Sequence, residues 1–191
     1  MSLALVVLLA VVAAGILAVQ LRTPDPAQTE VVAVGPSTPD AQPVTAGSTL
    51  AGRPCPTTAR PFEPTRVDVP GTPSTDSTGK QQFAYDRVQG VQPGDRRGNV
   101  LLNAHTFPDG SALGNRLLDG LREGGRLVLS DGDRRLCYRV TERLEVSADA
   151  NFYRYYDQDG QARVAIVVCS GERLGPGIWT RRTVWFARPS A

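Results

Sequence analysis

The stretch from Ala162 to Ala187, ARVAIVVCSGERLGPGIWTRRTVWFA, does most to limit what this chain can become. Val164 to Val168 is an unbroken apolar run, mostly β-branched, which is the composition of a strand buried on both faces. It ends on Cys169, and Ser170–Gly171 is expected to break it. After Leu174-Gly175-Pro176-Gly177 comes a second run, Ile178 to Ala187, rich in Trp, Thr, Val and Phe. The spacing therefore predicts two strands joined by a glycine-rich loop. A thiol closes the first, and Arg181 and Arg182 lie on the second. Taken alone, a strand-end cysteine reads as an inert buried residue and strand arginines as solvated ones.

The only histidine in the chain changes that balance. Asn99-Val100-Leu101-Leu102-Asn103-Ala104 is another apolar strand, with His105 at its end and Thr106-Phe107-Pro108-Asp109-Gly110 after it. A lone histidine is ordinarily structural, because one backbone hydrogen bond satisfies the ring. Here a cysteine, a histidine and an arginine all occupy strand ends. They form a candidate nucleophile, acid/base and electrophilic stabiliser.

These segments resemble the sortases, the cysteine transpeptidases of Gram-positive cell surfaces. The run AHTF around His105 is similar to the family's histidine motif, and VVC with GIWTRRTVWFA is similar to its cysteine strand and following arginine strand. The resemblance covers Pro64 to Ala187. The family commonly has Thr before the cysteine and Gly before the histidine, where this chain has Val168 and Ala104. Both departures flank the reacting groups and remove none. The compact C-terminal half is similar to the class E and F enzymes of high-GC Gram-positive bacteria.

The remainder of the chain is organised around that half. Met1 to Val19 contains one polar residue, Ser2, and nineteen helical residues span about 28 Å, close to a bilayer core. A cleaved secretory signal would have a positive n-region and a shorter apolar run. Residues 1–22 are therefore read as an uncleaved single-pass anchor in the cell membrane, with everything after it outside. Arg22, on the C-terminal side, opposes that orientation by the positive-inside tendency. Residues 23–61 hold eight of the fifteen prolines and read as an extended tether that cannot bury enough apolar surface to order itself. Residues 62–191 are the expected catalytic domain.

Within that domain Arg66 to Val69 and Gln82 to Val88 read as strands, Gly71 to Gly79 as a polar loop, and Gln92 to Asp95 as a turn. Leu113, Leu117, Leu118 and Leu121 recur at helical spacing, so Ser111 to Arg122 is expected to be a short helix. Arg126 to Ser130 and Leu136 to Val146 alternate around Asp131-Gly132-Asp133 and predict a hairpin. Ser147 to Gly160 reads as a loop carrying Phe152, Tyr153, Tyr155 and Tyr156. About eight strands and one or two short helices in roughly 130 residues point to a mainly β, closed barrel. That is also the architecture the resemblance implies.

The resemblance implies that Cys169 attacks a peptide carbonyl to give a thioacyl-enzyme. His105 would protonate the leaving amine and later deprotonate the incoming one, and Arg182 would stabilise the oxyanion or the substrate backbone. Strand alternation by itself says only that one of Arg181 and Arg182 faces the site. The substrate would be a surface protein ending in an LPxTG-like sorting signal, cut between Thr and Gly. The acceptor would be a peptidoglycan-precursor or pilin amine. Thr106, Val168, Trp179, Tyr153 and Tyr155 are expected to contact substrate, the tyrosines either lining a groove or only capping the barrel.

No cofactor is expected, since one histidine and scattered carboxylates give no ligand spacing, although a calcium site of loop carboxylates stays open. With a net charge of +2 and unclustered arginines nothing points to a nucleic-acid partner, and none is expected; the single Lys80 reads as genome bias. Cys55 and Cys137 can pair in an oxidising exterior, or Cys137 can be a buried hydrophobe with Cys55 free. Two other readings compete with the transpeptidase: a membrane-tethered barrel that only binds a partner, and another Cys–His wall peptidase. NlpC/P60 peptidases have the reverse residue order, and the L,D-transpeptidase motif around its cysteine is absent.

Overall fold

Alternation of apolar side chains along the three longest strands leaves two apolar faces to cover, and the chain answers by closing a barrel. The computed structural model describes residues 41–47, 55–70, 79–87 and 90–191. All of them fall within one compact unit, Val32–Ala191. The strands are β1 (Ala41–Gly47), β2 (Arg66–Asp68), β3 (Gln82–Asp86), β4 (Asn99–Ala104), β5 (Arg126–Ser130), β6 (Arg135–Ser147), β7 (Arg163–Gly175) and β8 (Ile178–Pro189). They close in the order β1-β2-β5-β6-β8-β7-β4-β3, with β3 pairing back onto β1. The β1–β2 and β4–β7 pairs are parallel and the others antiparallel. Among the described residues there is one α-helix, α1 (Leu113–Gly120), and there are 3₁₀ turns at Gly79–Gln81 and Tyr153–Tyr156. The expected mainly β, closed barrel is the observed architecture.

Each strand sends alternate residues inward. Val44, Val67, Phe83, Leu102, Leu129, Leu136, Ile166 and Trp185, with others from the same strands, make one continuous interior cluster. Leu113, Leu117 and Leu121 recur at i, i+4 and i+8, so one stripe of α1 joins that cluster. The buried Trp185 ring fixes the end of the helix by donating from Nε1 to the Leu121 carbonyl at 3.0 Å. The opposite parity of β4, β7 and β8 builds a second cluster on the outside of the barrel. There Leu101, Ala165, Val167, Val184 and Phe186 pack against Tyr155 and Phe152.

Several expectations need correction. The barrel begins earlier than Phe62: Ala41–Gly47, from the stretch read as tether, is strand β1, and the segment from Cys55 packs on the barrel as well. Closure explains this, because β2 and β3 would otherwise present unpaired edges, and even a strand containing Pro43 supplies most of the missing partners. Cys55 and Cys137 form a disulfide with Cα atoms 5.5 Å apart. The Cys137 N–H also donates to the Pro56 carbonyl at 3.1 Å. Ser170–Gly171 does not end β7. The strand runs on to Gly175 through a bulge after Ser170, where Gly171 takes φ +80°. The expected anchor at 1–22, the tether at 23–40 and 48–54, and most of the polar loop at 71–78 lie outside the described residues. Among the described residues no helix is long and apolar enough to cross a membrane.

Candidate active site

β4, β7 and β8 lie side by side, and their register brings three chain positions close together. Cys169 on β7 is directly opposite Arg182 on β8. Directly opposed residues in an antiparallel pair have Cα atoms about 4.5–5.5 Å apart. On the other side of β7, Ala104 is the last residue of β4 and partners Val168, so His105 is the next position along, beside Cys169. Parity agrees for two of them: Val167 and Val184 belong to the outer cluster, and Cys169 and Arg182 share their alternation. Cys169 and Arg182 therefore share the outer face of the β7–β8 pair, and His105 follows the last residue of β4 on the other side of β7. Arg181 instead partners Ser170, is exposed, and lies 3.8 Å from Glu145 through its guanidinium.

Cys169 is a free thiol and only 6% exposed. Burial pushes the thiol above its usual range, and the neighbouring Arg182 guanidinium pulls it partly back, since a cation favours the thiolate. Arg182 is half-buried and donates from Nη1 to the Arg181 carbonyl at 3.0 Å. That single neutral acceptor leaves most of its donor fork free. Beneath Cys169, Thr183 donates to the Ser170 hydroxyl at 2.9 Å, closing the interior under the strand pair. Among the described residues no three His, Cys, Asp or Glu side chains gather closely enough to hold a metal ion.

The segment carrying His105 is held by a dense set of bonds. The His105 carbonyl accepts from the Gly114 N–H at 2.8 Å. Thr106 Oγ1 donates to the Cys169 carbonyl at 2.7 Å. Asn115 grips Phe107 twice, accepting from its N–H and donating to its carbonyl, both at 3.0 Å. Lys80 pairs with Asp109 at 3.1 Å and lies 4.9 Å from the Phe107 ring centroid, so the one lysine of the chain has a local structural partner. Hydrogen bonds from Ser111 and the Lys80 ammonium hold the Asp109 carboxyl down at about 2.

A groove of about 300 Å³ opens next to Arg182, walled by Val146, Ala148, Phe152, Tyr155, Tyr156, Val167 and Val184. Its outer wall is the loop after β6, tied to the sheet by buried polar groups. Asn99 Nδ2 donates to the Arg154 and Tyr155 carbonyls at 2.8 and 2.9 Å, and the Tyr155 hydroxyl donates to the Leu102 carbonyl at 3.1 Å. Arg163 pairs with Asp157 at 3.2 Å and stacks over Phe186 at 4.9 Å. The wall thus combines apolar rings with satisfied backbone groups, as an apolar binding groove requires.

Of the residues expected to contact substrate, Tyr155 lines the groove and the other four do not. Val168 is 2% exposed and points into the interior cluster, because its parity is opposite to that of Cys169. Thr106 is 5% exposed, with its hydroxyl committed to the Cys169 carbonyl. Trp179 pairs with Arg173 beyond the bulge, and Tyr153 is 72% exposed and accepts from Asn151. Val167 and Val184 escaped the sequence reading, although their two-residue offsets from Cys169 and Arg182 already mark them as the same face.

No family model matches the chain, and no curated protein matches it. Solved structures that it resembles include "Sortase C1 of GBS Pilus Island 1" (16% identity, 59% of this chain and 54% of that one, TM-score 0.48). Sortase C-1 from Actinomyces oris matches at 18% identity over 62% of this chain and 64% of that one, with TM-score 0.46. Listeria monocytogenes sortase A matches at 23% identity over 50% of this chain and 61% of that one, with TM-score 0.41. In each case the match takes in less than two thirds of the solved chain.

Proposed function

We propose that this chain is a sortase-type cysteine transpeptidase. The observation that carries the reading is the pairing of Cys169 with Arg182 beside an apolar groove that Arg182 lines, with His105 following the β4 residue that partners Val168. Cys169 Sγ attacks the carbonyl of the substrate's Thr, forming a thioester as the Thr–Gly C–N bond breaks. The Gly amine leaves with the proton held by His105. An incoming amine then attacks the thioester and gives its proton to His105, and the C–S bond breaks to return Cys169 as the thiolate beside the reprotonated His105. Arg182 directs free guanidinium donors at the carbonyl oxygen that becomes anionic in both steps. Phe152, Tyr155, Val167 and Val184 receive the apolar residues of an LPxTG-like sorting signal.

The donor in this reading is a sorting-signal-bearing surface protein, and the acceptor a peptidoglycan-precursor or pilin amine. Residues 1–22 anchor the enzyme in the cytoplasmic membrane with the barrel outside, and the subclass is of the class E and F kind. The full chain incubated with a panel of sorting-signal peptides should gain the mass of the acyl group on Cys169. Release of that group as an amide should follow on adding an amine. Cys169→Ala should abolish both. Transfer that survives Cys169→Ala, or peptide binding without any covalent adduct across the panel, would sink the transpeptidase and leave a binding barrel.

A further inference from the structure

The ladder between β4 and β7 ends in an unusual substitution of partners. Ala104 and Val168 are the last backbone pair, and the His105 carbonyl turns away to accept from Gly114 of α1 at 2.8 Å. The next link to β7 is made by a side chain, the Thr106 hydroxyl donating to the Cys169 carbonyl at 2.7 Å. A hydroxyl thus stands where a strand N–H would continue the sheet. It ties the residue after the imidazole to the backbone of the residue that bears the thiol. Among the described residues no hydrogen bond orients the His105 ring, and its ring contact is with Phe107 at 6.3 Å between centroids. The position of that ring relative to Cys169 therefore depends on where the backbone on either side of it is fastened. Asn115 fastens the far side, through both backbone groups of Phe107. Thr106 is the fastening to the nucleophile strand itself, buried where no solvent competes for the bond.

We propose that Thr106 is a positioning residue that sets the distance and orientation of His105 relative to Cys169, acting through its hydroxyl and not through substrate. This rests on the reading of His105 and Cys169 as the reacting pair.

Thr106→Val removes the hydroxyl at constant shape, and Thr106→Ser keeps it. In the full chain, Thr106→Val should lower kcat for acyl-enzyme formation by roughly ten- to hundredfold, with KM within about twofold, because misplacement acts on chemistry and not on the groove. Thr106→Ser should restore most of the rate. A second readout needs no substrate: the chain has one histidine and one free thiol, so blocking Cys169 with a methylthio group reports on the His105 ring resonances alone. The wild-type displacement of those resonances should fall by half or more in Thr106→Val and return in Thr106→Ser. Unchanged kcat and an unchanged ring response in Thr106→Val overturn the proposal. So does a loss shared equally by Val and Ser variants together with a lowered unfolding midpoint, which would mark a packing role only. A wild type that acylates no peptide but whose ring response depends on the hydroxyl would overturn the transpeptidase and leave the positioning intact.

Discussion

At the scale of single residues, the reactivity of Cys169 is a contest between burial and one cation. Burial favours the neutral thiol, and Arg182, directly across the strand pair, favours the thiolate. The thiol is consequently raised overall, and attack on an electrophile should keep accelerating as pH rises into the alkaline range. Removing the cation takes away the term that lowers the thiol, so the curve must move to higher pH. Alkylation of Cys169 in Arg182→Ala should be slower than wild type at every pH below the plateau, read by iodoacetamide labelling and mass analysis. Arg182→Lys, which keeps a charge but loses the planar fork, should retain more thiol reactivity than transfer activity. A shift of the Arg182→Ala curve to lower pH would contradict the assignment of that cation.

At the scale of elements, α1 is both part of the core and a clamp on the histidine segment. Its leucine stripe was legible as spacing in the sequence, with ends expected at Ser111 and Arg122 and observed at Leu113 and Gly120. Its second residue was not. A Cβ on Gly114 would lie 2.4 Å from the His105 carbonyl oxygen and 2.7 Å from Thr106 Oγ1. Glycine is needed there for closeness of approach. Gly114→Ala gains about 1 kcal/mol of helix propensity, which a clash costing about 1–3 kcal/mol opposes. Net destabilisation in urea unfolding, with a larger fractional loss of transfer activity than of folded protein, is the expected outcome. The bulge at Gly171 is a second feature of this kind, since a strand that looked finished continues once one residue takes a left-handed conformation.

At the scale of the whole molecule, closure and the disulfide work on the same problem, which is holding an N-terminal segment of low apolar content on the barrel. Cys55 and Cys137 are 82 residues apart, and linking them restricts the unfolded chain strongly. Replacing both by Ser should lower stability by about 4 kcal/mol in chemical unfolding. Neither cysteine lies on β4, β7 or β8, so the molecules that remain folded should keep wild-type alkylation of Cys169. Loss of thiol reactivity in proportion beyond the loss of folded protein would show that the pin also shapes the site.

The sequence by itself determined strands β2 to β8 and the helix, because alternation and spacing are local properties of which side chains are apolar, and it singled out His105, Cys169 and Arg182 as candidates. It even implied the shared face, since Cys169, Val167, Arg182 and Val184 differ by steps of two along their strands. Only the tertiary structure decided that Ala41–Gly47 completes the barrel, that Cys55 reaches Cys137, and that Val168 and Thr106 turn from the groove. The reason is the same in each case. Edge pairing, disulfide geometry and the satisfaction of a buried carbonyl depend on which distant segments meet, and periodicity along the chain carries no record of that.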